Sequence, residues 1–283
     1  MSSSPTAAEQ QLLAAEGLEA EPATVGWGLW NLNDAQLALV PRLPTLRALV
    51  LFETCESREV TPAGLAALAG HPSLVQLDLG PGIREAGVER AAAVPGLLRL
   101  RLDSAGDVGD AAMKHVARLT RLEELSLQYT SVGDDGVAQL AGLTRLRRLE
   151  LEGTRVTDAV MRHLGGMRGL ELLTLGNPMP PALLALMGGS KSGLTDAVLG
   201  ALPGFPALTE LRVGGSFTAG GLGALQSLPN LTSLTLTAPL ADGAVGPLSA
   251  LRGLKQLYGL QHRMSATAVE ALKRALPGCA VTA

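Results

Sequence analysis

The chain has 283 residues, 47% of them apolar, 17% charged and only 2% aromatic, with a formal charge of −3. That length can bury a substantial core as one large domain or two small ones. The weak acidic balance leaves no electrostatic footprint for nucleic acid or an anionic membrane. Two cysteines near opposite ends, Cys55 and Cys279, make no disulfide framework, and no apolar run reaches the roughly 18 residues of a membrane-spanning helix.

In chain order, the opening has neither a basic n-region nor an apolar h-region, so no secretory signal is expected and a reducing, cytoplasmic setting is the default. Thr6 and Glu9 have the spacing of a capping box. The helix they predict, carrying Leu12 and Leu13, would cover the N-terminal end of a core; residues 1–21 are read as a capping helix and tail. From Pro22 the segment P-A-T-V-G-W-G-L-W-N-L-N-D-A fits a degenerate structural unit, in a register that puts Val25 and Trp27 in the core and Leu32 at the turn.

The pattern L-x-x-L-x-L then recurs, at Leu46, Leu74, Leu97, Leu122, Leu146, Leu170, Leu208, Leu231 and Leu254, with Gly259 replacing the third leucine in the last copy. Successive first leucines lie 28, 23, 25, 24, 24, 38, 23 and 23 residues apart. Within a unit the periodicity switches. Alternation such as Leu125-Ser126-Leu127 predicts a strand, and small residues such as Gly153-Thr154 predict a turn. An N-cap segment follows, as at Thr157 to Val160 or Val132 to Val137, and then helical spacing of Val137, Leu140 and Leu143, or of Val160, Leu164 and Met167. A unit this short cannot bury its own apolar side, so neighbours must stack.

LEELSLQYTSVGDDGVAQLAGLTR and LRRLELEGTRVTDAVMRHLGGMRG, the clearest copies, resemble the leucine-rich repeat family, close to its bacterial and ribonuclease-inhibitor-like classes. The resemblance covers residues 22–283. It implies an α/β solenoid, a horseshoe of about nine or ten repeats with parallel strands on the concave face and helices on the convex face. The family often has Asn or Cys at the ninth repeat position, bonding to neighbouring backbone. Here Thr54, Thr130, Thr154 and Ser216 stand there, with Gly82, Ala105, Pro178 and Pro239 between them. A discontinuous ladder is therefore expected, with irregularity at repeats two, three, six and eight. Residues 268–281, A-V-E-A-L-K-R-A-L-P-G-C-A-V, resemble the terminal helix and last short strand of such proteins, which makes Cys279 a buried small hydrophobe.

No catalytic or metal motif emerges. His115 and His163 each precede a repeat-starting leucine by seven residues, which predicts equivalent outer-face helix positions about 10 Å apart, too far to share a metal. Gly188 to Gly193, G-G-S-K-S-G, has Ser190 where a phosphate loop needs Gly before its Lys. It belongs to an insertion of about fourteen residues, Met179 to Ser192, with Pro178, Pro180 and Pro181 at its start and an apolar run A-L-L-A-L-M. That insertion reads as a short helix folded back on the repeats, or as an exposed docking segment.

Strand alternation sends repeat positions 4 and 6 into the core and positions 3, 5 and 7 to the concave face. There the charge concentrates in repeats three to five, at Arg99, Arg101, Asp103, Glu124, Arg148, Glu150 and Glu152, with Gln128 beside them and Tyr129 at the rim. One reading is a solvated face in which Arg101 pairs with Glu124, and Arg148 with Glu124 and Glu150. The other is a recognition patch for a protein partner, with Arg as directional donor and Tyr129 as anchor. A non-catalytic protein-binding module is the expectation, with no cofactor, no metal, no nucleic acid and no membrane. A regulator of a GTPase or another enzyme, and a secreted bacterial effector, are the alternatives.

Overall fold

Alternating Leu and polar residues over four to six positions make strands too short to stand alone, so each needs a strand partner beside it and a helix beneath it. The computed structural model describes residues 4–52, 60–177, 193–237, 240–260 and 264–282. Cys55, His262, the ninth-position residues Thr54, Pro178 and Pro239, and the 179–192 insertion lie outside them. Contacts divide the chain into two compact units, Met1–Arg145 and Leu146–Ala283.

In the first unit the strands follow one another in chain order: β1 (Glu21–Ala23), β2 (Gly26–Trp30), β3 (Ala48–Leu51), β4 (Gln76–Leu79), β5 (Arg99–Arg101) and β6 (Glu124–Ser126). All pairs are parallel and in repeat register except β1 and β2, an antiparallel hairpin that covers the open edge. Fourth-position Leu49, Leu77, Leu100 and Leu125 stack with at most 1% exposure. A fully buried Leu side chain stabilises by about 1.5–3 kcal/mol, so this column alone is a large share of the unit's cohesion. Short helices return the chain beneath it: α2 (Asp34–Leu37), α3 (Pro62–Leu65), α4 (Glu85–Ala91), α5 (Asp110–Val116) and α6 (Asp134–Gln139). In the second unit β7 (Arg148–Glu152), β8 (Leu172–Gly176), β9 (Glu210–Val213), β10 (Ser233–Leu236), β11 (Gln256–Tyr258) and β12 (Ala280–Val281) pair in parallel throughout. They alternate with α7 (Met161–Leu164), α8 (Asp196–Ala201), α9 (Ala219–Leu222), α10 (Val245–Ser249) and the closing α11 (Ala266–Ala275).

The N-terminal helix, Ala7–Ala15, has the expected capping box between Thr6 and Glu9 and buries Leu13. Glu9 also reaches beyond its helix. Only 3% exposed, it accepts the Thr45 N–H at 2.9 Å and the Thr45 hydroxyl at 2.6 Å, and that hydroxyl accepts the Trp27 indole N–H at 3.1 Å. Burial works against a charge on Glu9, yet the donors on Thr45 and Thr6 hold its carboxyl below the usual range. The first unit's strand register differs from the expectation. Leu29, not Val25, stands opposite Leu49, so the repeat begins four residues later. Val25 falls in the hairpin turn, while Trp27 stays buried.

The ladder also runs elsewhere than expected. Ninth-position hydroxyls bond within their own repeat, Thr130 to the Leu127 carbonyl at 2.7 Å and Thr154 to that of Leu151 at 2.6 Å. Ala105 lacks a hydroxyl but is fully buried, and its N–H bonds the Leu102 carbonyl as that of Thr130 bonds Leu127. Repeat three thus keeps the turn of its neighbour. The inter-repeat ladder is instead carried by aspartates at helix starts. In the first unit Asp34 accepts the N–H and hydroxyl of Thr61 (2.9 and 2.5 Å), and Asp110 accepts the Gly133 N–H (2.7 Å). In the second, Asp158 serves Thr195, Asp196 serves Thr218 and Asp242 serves Ser265, each by the same two bonds. Each Thr or Ser in turn caps its own helix.

Cys279 is half-buried, not buried, because it sits in the turn after the last helix, Ala266–Ala275. Among the described residues His71 is the buried histidine. Burial pushes its imidazole below the usual pKa, and the neutral ring joins two repeats. Nε2 donates to the Leu43 carbonyl and Nδ1 accepts the Leu74 N–H, both at 3.1 Å.

Candidate functional site

In the first unit the sheet face turned away from the helices is built in rows set by the strand register. One row runs Ala48, Gln76, Arg99, Glu124 and the next Val50, Asp78, Arg101, Ser126. Arg99 therefore faces Glu124 directly, and their side chains pair at 3.1 Å. Arg101 faces Ser126 and turns along its own strand to Asp103, donating from Nε and Nη2 to one carboxylate oxygen at 3.0 and 2.7 Å. The Ser126 hydroxyl donates to the other oxygen of Asp103. The expected Arg101–Glu124 pairing is thereby replaced, since the register gives Glu124 to Arg99.

This face is not simply solvated. Asp78 and Asp103 are each 7% exposed and Ser126 3%. Asp103 has donors on both oxygens. Among the described residues Asp78 has only the Gln76 side-chain N–H, at 3.1 Å on Oδ2, and its Oδ1 and the Gln76 Oε1 are buried with no partner. Burial accordingly raises the Asp78 carboxyl above its ordinary range, with Arg101 opposing and Asp103 and Glu124 adding to the rise. Sequence reasoning placed Asp78 on this face but did not single it out. The signal was its place in line with Arg101.

Tyr129 follows β6, exposed and with φ of +55°. The equivalent residue of the preceding repeat, Ser104, has φ +60°, and that of the following repeat is Gly153 at +72°. Gln128 is half-buried, and its carbonyl accepts the Ser104 N–H at 2.8 Å. Arg148, Glu150 and Glu152 belong to the second unit, half-buried on β7 opposite Leu172, Thr174 and Gly176. The nine expected residues thus fall into two groups, six in the first unit and three in the second.

The second unit's face carries a hollow of about 510 Å³ lined by Glu152, Arg212, Thr235, Thr237 and Tyr258 among others. Its row of Glu150, Thr174, Arg212, Thr235 and Tyr258 follows the register, and beside it Glu152 faces Gly176. Sequence reasoning named only Glu152 of this lining as a site residue. Its sign was the small residues Gly176, Gly214 and Thr237 in the same repeat position.

His115, half-buried on α5, lies 3.6 Å from Glu85, and His163 is half-buried on α7. Among the described residues no group of His, Cys, Asp and Glu could hold a metal ion, and no helix is long and apolar enough to cross a membrane.

Solved structures share this arrangement of stacked strand–helix units. An internalin (inlF) from Listeria monocytogenes superposes with a TM-score of 0.58 and 21% identity, over 86% of this chain and 62% of that one. The fold is the leucine-rich repeat. Internalin C2 (inlC2) of the same organism gives a TM-score of 0.53 and 20% identity, over 92% of this chain and 93% of that one. The sequence matches no family model and no curated protein. The leucine-rich repeat therefore accounts for the architecture, and the chemistry must be argued from this chain's own side chains.

Proposed function

We propose that this chain is a non-catalytic interaction module that holds a protein partner against the sheet face turned away from its helices. The observation that carries the reading is Tyr129. A side chain at positive φ costs on the order of 1 kcal/mol or more, which a glycine such as Gly153 avoids. Here the position holds a large aromatic that is 39% exposed, so it leaves apolar area for a partner to cover. An exposed aromatic at positive φ, in the same unit as pre-positioned arginine–carboxylate pairs, has the composition of an interaction hot spot. Arg99, Arg101, Asp103, Glu124, Gln128 and Tyr129 form the proposed contact group of the first unit; Arg148, Glu150 and Glu152 form that of the second. A reducing, cytoplasmic setting suits a chain whose two cysteines form no framework.

Affinity purification with mass spectrometry, run on the wild type, Tyr129→Gly and the charge reversal R99E/R101E, tests this. Tyr129→Gly keeps the positive φ that Gly153 holds at the equivalent position and is expected to fold as the wild type does, read by circular dichroism, and yet to lose partners that the wild type captures. R99E/R101E should lose the same partners; because Asp103 is nearly buried beside Arg101, its unfolding midpoint is expected to fall as well, and Arg99→Gln, at the more exposed pair, separates lost binding from lost stability. Recovery of the full wild-type set by both variants would refute the proposal.

A further inference from the structure

The middle of the first unit's face holds two buried oxygens that lack a donor. Gln76 and Asp78 stand two residues apart on β4 and so turn to the same side of the sheet. Their side chains meet, the Gln76 Nε2–H donating to Asp78 Oδ2 at 3.1 Å. That bond satisfies one atom of each group. The atoms left over, Gln76 Oε1 and Asp78 Oδ1, are buried without a partner among the described residues. While the carboxylate is charged both are acceptors, so neither can satisfy the other. A protonated carboxyl carries one O–H donor. Amide and carboxylic acid are complementary through two contacts, amide N–H to one carboxyl oxygen and acid O–H to the amide oxygen. The first contact is present here, and one proton on Oδ1 supplies the donor for the second.

The neighbouring strands decide what that proton changes. On one side the register places Ala48 beside Gln76 and Val50 beside Asp78, so β3 brings no charge to the pair. On the other, β5 places Arg99 beside Gln76 and Arg101 beside Asp78. Arg99 pairs with Glu124 of β6 at 3.1 Å, and Arg101 with Asp103 at 2.7 Å. Burial is the strongest influence on the Asp78 carboxyl and favours the neutral acid, as do the carboxylates of Asp103 and Glu124; the Gln76 N–H and Arg101 favour the anion. We infer that Gln76 and Asp78 form a proton-operated switch in this face, closed by an Oδ1–H···Oε1 hydrogen bond when Asp78 is neutral and open toward Arg101 when it is charged. The proton comes from solvent. With it bound, one carboxylate fewer competes for Arg101; without it, a second carboxylate stands in the same row and draws that guanidinium from Asp103. Arg101 belongs to the proposed contact group, so acidity would retune a donor aimed at the partner. That consequence rests on the reading of this face as the interaction surface, whereas the switch itself is a property of the free chain.

NMR of the isotope-labelled full chain, titrated from pH 7 down to about pH 4, tests the inference. It reads the carboxyl carbon of Asp78, the side-chain carbonyl carbon of Gln76 and the Nε of Arg101. All three should move with one midpoint, and that midpoint should lie above the one measured for aspartate in a short unfolded peptide. In Asp78→Asn the Gln76 and Arg101 transitions should disappear while circular dichroism reports a retained fold. A carboxyl that is merely dry would move its own carbon and leave the Gln76 carbonyl still, which overturns the inference. So does an Asp78 that titrates as the peptide aspartate does, an Arg101 Nε that does not follow it, or transitions that persist in Asp78→Asn. Unfolding before Asp78 takes up its proton overturns it too, because the closed pair must be the form that acid favours. Partner capture that ignores Tyr129 would leave these signals unchanged, and a failed titration would leave the Tyr129 reading standing, so the two fall separately.

Discussion

Replacing Asp78 by Asn isolates the most costly feature of the first unit's face. Asp78 is 7% exposed, accepts one hydrogen bond, from Gln76 at 3.1 Å, and leaves Oδ1 buried with no donor, as Gln76 leaves Oε1. A buried polar atom without a partner costs about 1–3 kcal/mol, and more when the group is charged. Asn keeps the acceptor that Gln76 uses, removes the charge and turns the orphaned Oδ1 into a donor, leaving Gln76 Oε1 as the single orphaned acceptor. Loss of the attraction from Arg101 subtracts from this gain, but that guanidinium is already committed to Asp103. The net expectation at pH 7 is stabilisation by about 1–2 kcal/mol, or a rise of roughly 2–6 °C in melting temperature for a chain of this size. The pH dependence fixes the cause. Burial raises the folded-state pKa of Asp78, so between the unfolded and folded values the native state binds more protons, and wild-type stability falls as pH rises through that window. The advantage of Asn should therefore be complete above the raised pKa and vanish as pH falls toward that of an ordinary aspartate. Urea unfolding followed by circular dichroism from pH 7 down to about pH 4 reads both. A variant no more stable than wild type at pH 7, or a gain that does not change with pH, refutes the reasoning.

Two further substitutions test the packing that holds the faces in place. Glu9→Ala should destabilise the chain by about 1–3 kcal/mol in urea unfolding, because the N–H groups of Thr6 and Thr45 lose the carboxylate they donate to; unchanged unfolding would mean the N-terminal helix is not locked to the first repeat. Gly176→Ala combines a φ of +90° with a collision against the Gly214 carbonyl. It should cost about 2 kcal/mol, read as a lowered midpoint in the same assay, and a neutral result would mean that the backbones of Gly176 and Gly214 can part without loss.

The strands and the face they present were legible because leucine recurrence needs no long-range information: parity alone sends Leu77 and Leu79 inward and Asp78 outward. Parity also explains the register error at the start. Val25, Trp27 and Leu29 share one parity, so a slip of four residues leaves the same face apolar, and only the β1–β2 hairpin decides between the registers. Which charges pair was not legible, because Arg101 can turn to Glu124 or along its own strand to Asp103, and the register opposite Arg99 removes the first choice. Nor was the burial of Asp78, which comes from the side chains around it rather than from its repeat position. The aspartate ladder did leave a trace, the pairs Thr157-Asp158 and Thr195-Asp196 at helix starts. Its partner lies one repeat away, beyond the reach of local pattern.

That ladder explains how the second unit keeps its register across a repeat of unequal length. Asp158 meets Thr195, 37 residues on, through the same two hydrogen bonds by which Asp196 meets Thr218, 22 residues on. Closing the longer connection costs only about 0.5 kcal/mol more, since loop entropy grows with the logarithm of length. One hydrogen bond contributes about 1 kcal/mol net, so the pair of bonds more than offsets the added chain. The sheet agrees: β8 and β9 pair from Leu172↔Glu210 to Leu175↔Val213 with no slip, and Thr157 bridges Gly193. Where an aspartate stands at the helix start, the stacking of repeats is therefore specified at two places, the strand and the helix start. The length of chain between those places is free to vary, and with it whatever that chain carries.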